Sequence, residues 1–568
     1  MDREEIKETD IWELYNKSVM FANKNGFYTN VDRDNRMYNG DQWDGLVVEG
    51  VEKVQLNFIK PIVNYKSNKV TSSLRAINYS ADNVESSEFR IKAKKICDLL
   101  NQRASRVWNK QEMDLKLKKI AKKSCVTGES ILYNSYDEET NNPNVEILSM
   151  VDVYYGNENE PDIQKQPYIL VKQRMSLLEA KEVARNYNVS ENDIKNIVGD
   201  EENLEEAGES AKDELDRMCT IITKFYRDKG TIWFAKSTRW VDIKGNTEMG
   251  TTLYPLTHMS WEEVEGSARG IGEVRYLIGT QIEVNKTAMR RLITSKNIAY
   301  PQKVYNSDII QNPDAIGTVG GMIEVKGQNV DDVRKAITTT TPMSMSNDVK
   351  EIQNELIDIS RELANASDAA TGQINPDSAS GRAILAVQQA SEQPLDDQNT
   401  ELNVVCKDLA RIWLDMWKTY NVDGMEFEDI ETDPMTGEEI LNLIPIDGDA
   451  LERVQASVKI DVTPRGAYDK YAQELSIENL AKTDLFMNTN WLEDYVSLLE
   501  SDAVMPKLKL EELIKKRKET QQRIREINQQ AMGMQQQIAQ LMSNGTIIPQ
   551  GTRDFVNSLP ENNIQTAG

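Results

Sequence analysis

Residues 270–292 read GIGEVRYLIGTQIEVNKTAMRRL, and two opposed readings compete for them. Gly270-Ile271-Gly272 has the spacing of the first half of a dinucleotide-binding loop, which would make the chain an enzyme. The other reading is the entry to a long helix with a mechanical task. A dinucleotide loop needs a buried strand before it and a third glycine that lets strand and helix pack closely. Here the charged stretch THMSWEEVEGSAR (257–269) precedes it, Arg275 occupies the place of the third glycine, and Gly279 comes four residues late. Beyond the glycines, Val274, Leu277, Ile278, Ile282, Ala288, Met289 and Leu292 recur at helical spacing, with Gln281 and Asn285 set among them. The pattern predicts a helix over 271–298, entered through a glycine hinge at Gly270 and Gly272. Arg275, Lys286, Arg290 and Arg291 on it are expected to pair with acids of neighbouring subunits.

No other stretch supplies catalytic chemistry. GLVVEGVE (45–52) has the glycine spacing of a phosphate-binding loop, but Val51 and Glu52 replace its lysine and hydroxyl residue. GES (128–130) lacks the following glycine of a nucleophile elbow, and His258, the one histidine, is expected to be structural and in a loop. The cysteines, Cys97, Cys125, Cys219 and Cys406, form no metal-binding pair, and the aspartate clusters at 32–34 and 447–449 lack a calcium-loop pattern. We therefore expect no enzyme activity, no cofactor and no metal.

The 568 residues suffice for about three or four domains. A net charge of −25 opposes adhesion to nucleic acid or to an anionic membrane, so any DNA contact must be local or non-adhesive. The acidic N-terminus is unlike a signal peptide, and no apolar run reaches the ~18 residues of a membrane span.

Before residue 270 the order of segments predicts a mixed α/β unit. A turn is expected at 37–45, a helix over 57–74, a helical stretch over 89–125 ended by Gly128, and a hairpin from SILYNSY and NVEILSM. PYILVKQRM, TIITKFYRD and GTIWFAKST read as strands, SLLEAKEVARNY as a helix, and 199–216 as an acidic surface loop. After the 271–298 helix come two short strands, PQKVYN and GMIEVKG, then a helix over 348–367. In that helix Val349, Ile352, Leu356, Ile359, Leu363 and Ala366 hold a heptad stripe, flanked by the carboxylates Glu351, Glu355, Asp358 and Glu362. A small-residue loop spans 368–381, a long helix breaks at Pro394, an acidic, turn-rich stretch covers 421–455, and heptads return between Leu510 and Leu541.

The ordered pieces YNGDQW, NFIKPIVNYKSNKV, GESILYNSYDEE, VEILSMVDVYYG, the 270–292 segment and SGRAILAVQQ (380–389) resemble the portal proteins of tailed bacteriophages. The acidic inserts 199–216 and 421–450 and the polar tail have no counterpart in that pattern. The resemblance implies an α+β, mainly helical fold with wing (1–270), first stem helix (271–298), clip (299–342), second stem helix (343–367) and tunnel loop (368–381). Residues 382–500 would complete the wing and 501–568 would form a helical crown. It implies a dodecameric homo-oligomeric ring at the capsid vertex of the virion, assembled in the host cytoplasm, through which double-stranded DNA is packaged and ejected.

Its implied partners are the terminase large subunit, the major capsid or scaffold protein, and neck or tail adaptors, with no membrane. Glu351, Glu355, Asp358 and Glu362 would line the channel. Gln373, Asn375, Ser378, Ser380 and Arg382 would belong to the tunnel loop, with Arg382 the candidate phosphate contact. Tyr305, Asp308, Gln311, Asn312 and Asp314 would face the motor or adaptor. The C-terminal heptads leave a coiled-coil scaffold component as the rival reading, and the two glycines leave a nucleotide-binding enzyme as a weaker one.

Overall fold

In a computed structural model, residues 9–43, 53–81, 87–200, 217–326, 336–340, 348–366, 393–432, 439–454 and 456–464 are described. Contacts group the chain up to Thr463 into one compact unit, and Pro464–Gly568 into another that, past Pro464, lies outside the described residues. Helices combine with antiparallel strands in an α+β arrangement.

The helices α1 (Ile11–Lys24), α2 (Phe27–Asn39) and α3 (Ile59–Val70) come first, then strand β1 (Ser73–Ser80). Gly40, at φ +100°, ends α2 and begins the expected turn. The helix expected to reach residue 74 stops at Val70, because Thr71 turns its hydroxyl back onto the Ser67 carbonyl (2.9 Å) and the chain leaves as a strand. The stretch read as one helix over 89–125 is two, α4 (Ser87–Lys110) and α5 (Met113–Thr127). Glu112 breaks it at φ +50°, and the Trp108 indole N–H donates across the break to Asp114 (3.0 Å). Gly128, at φ +112°, ends α5 as expected.

Strands β2 (Glu129–Asp137) and β3 (Asn142–Leu148) form the predicted hairpin. There follow β4 (Val153–Tyr155), β5 (Tyr168–Ser176), α6 (Leu177–Asn186), α7 (Glu191–Lys195), β6 (Met218–Asp228), β7 (Thr231–Ser237), β8 (Asp242–Glu248) and β9 (Leu256–Ser260). β9 joins the other edge of β2, and β4 to β8 make a five-stranded antiparallel meander. Both faces of the meander are covered, one by α1 through Ile11 and Leu14, the other by residues that include Ile131 and Leu256. That double burial explains why TIITKFYRD lacks strict alternation. Ser176 and Glu179 close a reciprocal capping box at the start of α6.

His258 lies in strand β9, not in a loop, and its ring shares a hydrogen bond with Glu129 (3.1 Å). Glu129, fully buried, is also bonded to Arg269, which binds Glu158 (3.0 Å) and donates to the carbonyl oxygen of Val153 (2.8 Å). The guanidinium lies over the rings of Tyr155 (4.4 Å to the centroid) and Phe27 (4.8 Å). Burial opposes ionisation of Glu129, but Arg269 and His258 outweigh it and hold the carboxyl below its ordinary range. This cluster fixes the chain where it leaves the sheets.

The remaining elements are α8 (Glu273–Ala299), β10 (Lys303–Tyr305), β11 (Ile337–Thr339), α9 (Asp348–Leu363), α10 (Asp396–Tyr420), β12 (Met425–Thr432), β13 (Glu439–Ile446), α11 (Gly448–Arg453) and β14 (Ser457–Pro464). β14 pairs with β1, tying the chain back to its first strand. α10 begins just after Pro394 and supplies the centre of the main core with Leu402, Cys406, Leu409, Trp413 and Trp417. Where 421–455 reads as turn-rich, the structure has the β12–β13 hairpin, with Met425 opposite Ile446 and Thr432 opposite Glu439. The acids Glu426, Glu428, Asp429 and Glu431 mask its strand pattern in the sequence.

Candidate functional site: a helix hairpin with outward-facing stripes

The Gly270 backbone passes so close to its neighbours that a side-chain carbon there would sit 2.6 Å from the Gly128 carbonyl oxygen. At Gly272 the same addition would come within 2.5 Å of the Val126 carbonyl oxygen. The junction expected to be a hinge therefore needs glycine for close backbone approach, and Gly272 itself is in ordinary extended geometry (φ −87°, ψ 155°).

From that junction α8 is anchored to the N-terminal helices and the segment between α2 and α3 by polar groups. Lys66 pairs with Glu273 (2.8 Å), both nearly buried, and Arg275 with the buried Asp34 (2.7 Å). Gln281 and Asn285, one turn apart and buried, act on the extended residues 53–58 as a neighbouring strand would. Gln281 accepts from the Phe58 N–H (3.0 Å) and donates to the Leu56 carbonyl (2.9 Å), while Asn285 accepts from the Leu56 N–H (3.0 Å) and donates to Gln42 (2.6 Å). Arg275 and Lys286 thus find acids in their own chain, the latter Glu283 (2.8 Å), and Arg291 donates to Gln353 of α9 (2.6 Å). Of Arg275, Lys286, Arg290 and Arg291, expected to meet acids of neighbouring subunits, the first, second and fourth thus have partners within the chain.

The α8 and α9 helices pack against each other, and between them in the chain lies the antiparallel β10–β11 ribbon, in which Lys303 faces Thr339 and Tyr305 faces Ile337. GMIEVKG, expected to be the partner strand, makes only an isolated bridge from Val325 to Ile310. The Asn312 side chain takes over its pairing, accepting from the Glu324 N–H (2.7 Å) and donating to the Met322 carbonyl (2.8 Å).

Against α8, α9 does not present its heptad stripe. The residues buried there are Gln353, Ser360 and Ala364, whose small or bonded side chains allow close approach. Of the heptad row, Ile352, Ile359 and Leu363 are 51%, 44% and 78% exposed among the described residues, whereas Leu356 is half-buried against the main core and Ala366 is buried. Glu351, Glu355, Asp358 and Glu362 are exposed beside that row, about a quarter-turn away by the helical step, and none has an ion-pair partner among the described residues. Which face α9 turns to α8 could not be read from periodicity, because Ile352, Ile359 and Leu363 of the row that looks like a core seam are left outside.

Among the residues expected to meet a motor or adaptor, Tyr305, Asp308, Gln311 and Asp314 are exposed and Asn312 is half-buried. They share a small module in which, among the described residues, Ile310 and Ala336 are the buried apolar side chains, while Val319 and Met322 stand in solvent. Gln373, Asn375, Ser378, Ser380 and Arg382 lie outside the described residues, as do the heptads between Leu510 and Leu541. No helix among the described residues is long and apolar enough to cross a membrane. Comparison of the chain with protein-family models and with curated proteins returns no match.

Proposed function

We propose that the chain is a structural, ring-forming protein whose α8–α9 hairpins stand side by side around a channel for double-stranded DNA. The observation that carries this reading is the pair of stripes on α9. An exposed row of Ile352, Ile359 and Leu363 favours burial against a second helix. The row of Glu351, Glu355, Asp358 and Glu362 favours water. In a ring, a neighbouring copy covers the first and the lumen receives the second. A wall of fixed carboxylates repels phosphate and lets a duplex slide without adhesion, the inverse of counterion-release binding.

Within that class, the order of sequence segments favours the portal of a tailed bacteriophage. On this reading the ring is a dodecamer at the capsid vertex, built with the capsid or scaffold protein. The 299–342 module meets the terminase large subunit and later the neck or tail adaptors, and Arg382 in the tunnel loop meets phosphate. No bond is made or broken by the chain itself. Electron micrographs of the purified protein, with its mass measured in the native state, test the reading. Closed rings with a central hole are expected, and monomers or fibres alone under assembly conditions would reject it.

A further inference from the structure

Helices α2 and α5 and the end of β3 enclose a cleft of about 310 Å³, at the small end of ligand-sized sites. Lys119, Lys122 and Lys123 of α5 line one side, and Asn35, Asn39 and Ser149 supply neutral polar groups on the others. Positions 119, 122 and 123 share one helix face, where like charges oppose each other. None of the three is ion-paired among the described residues. Lys122 instead sits over the Tyr38 ring, 5.4 Å from its centroid.

The nearby acids are already engaged. Glu129 lines the cleft but is bonded to Arg269 and His258, and Asp152 pairs with Lys172 (3.1 Å). Burial, together with the neighbouring Lys119, pushes the Lys123 ammonium below its ordinary pKa, despite the opposing pull of Asp152. A protein of net charge −25 thus keeps three lysines around one concavity with no ion pair among the described residues, held in the folded chain only by the Tyr38 ring and the more distant pull of Asp152.

We infer that this cleft binds a phosphate group, carried either by inorganic phosphate or by the backbone of DNA. Lysine ammonium groups supply charge and donors without demanding a fixed fork geometry, and the Asn and Ser groups complete a shell of donors around a tetrahedral anion. The site stands apart from the acidic hairpin and does not depend on ring formation.

The test is a calorimetric titration of the full-length protein at low ionic strength, first with inorganic phosphate and then with a short DNA duplex. Saturable phosphate binding is expected, weakened about tenfold or more in K119A/K122A/K123A, as loss of charge-assisted bonds predicts. K118A alters an exposed lysine of the same helix outside the cleft and should bind as the unaltered protein does. If the triple variant fails to fold by circular dichroism, K122A alone carries the comparison. A DNA source would show as duplex binding whose log–log salt slope falls by about 0.9 for each lysine removed. Phosphate binding without duplex binding would assign the site to the free anion. Absence of saturable binding by either, or equal binding by the lysine variants, would overturn the inference.

Discussion

The Arg269 cluster and the α9 helix handle charge and apolar surface in opposite ways. Around Arg269 each ionised group meets its counter-charge inside the chain: Glu129 and Glu158 flank the guanidinium, His258 takes the other side of Glu129, and two aromatic rings seal it. On α9, two isoleucines and a leucine stand exposed beside four carboxylates that have no ion-pair partner among the described residues. The first region spends its interactions on folding one subunit. The second leaves them without partners among the described residues, and the proposed ring would supply those partners from a neighbouring copy. The contrast predicts that lesions in the Arg269 cluster damage stability, and that lesions on the exposed face of α9 damage assembly alone.

The largest effect on stability is expected for R269A. It strands Glu129 as a buried, uncompensated carboxylate, a loss of about 3–5 kcal/mol for a broken buried pair, readable by chemical unfolding. G270A comes next, at about 1–3 kcal/mol, because its new methyl group meets backbone that cannot swing aside. Loss of the α8 lock in N285A follows at about 1–3 kcal/mol, through the unsatisfied Leu56 N–H. I352S/I359S/L363S is expected to change subunit stability by less than about 0.5 kcal/mol, since these side chains are exposed, yet to abolish higher assembly in light scattering. Equal stability losses at Arg269 and at the α9 stripe would erase the distinction between the regions.

Acid sharpens the same comparison. Glu129 has a folded pKa below the ordinary carboxylate value of 4.5, so it binds its proton less readily when folded. Its stabilising contribution is complete above that value and is lost as pH falls through the lowered folded pKa. Asp34 runs the other way. Burial, only partly offset by Arg275, raises its pKa, so protonation as pH falls favours the folded chain. Stability measured against pH should therefore fall less steeply on the acid side in E129Q than in the unaltered protein.

The long elements were legible in the sequence because their periods are strong and their stops explicit: Gly128 after α5, the Ser176–Glu179 cap before α6, Pro394 before α10. The rest escaped for physical reasons. Glu112 breaks a helix by a left-handed turn that nothing in its residue type announces, and acids conceal the β12–β13 alternation. Glu129 lies far along the chain from His258 and Arg269, and only the meeting of β2, β9 and the segment after β9 unites them. On α9 the stripes themselves were readable, but the choice of Gln353, Ser360 and Ala364 as the face against α8 depends on close approach, which periodicity does not encode.

A three-dimensional reconstruction of the assembled protein by electron cryomicroscopy tests the central claim most directly. The account predicts a closed ring in which Ile352, Ile359 and Leu363 are buried between adjacent copies and Glu351, Glu355, Asp358 and Glu362 face the central opening. A ring with those carboxylates on its outer wall, or an assembly that leaves the apolar stripe in solvent, would contradict it.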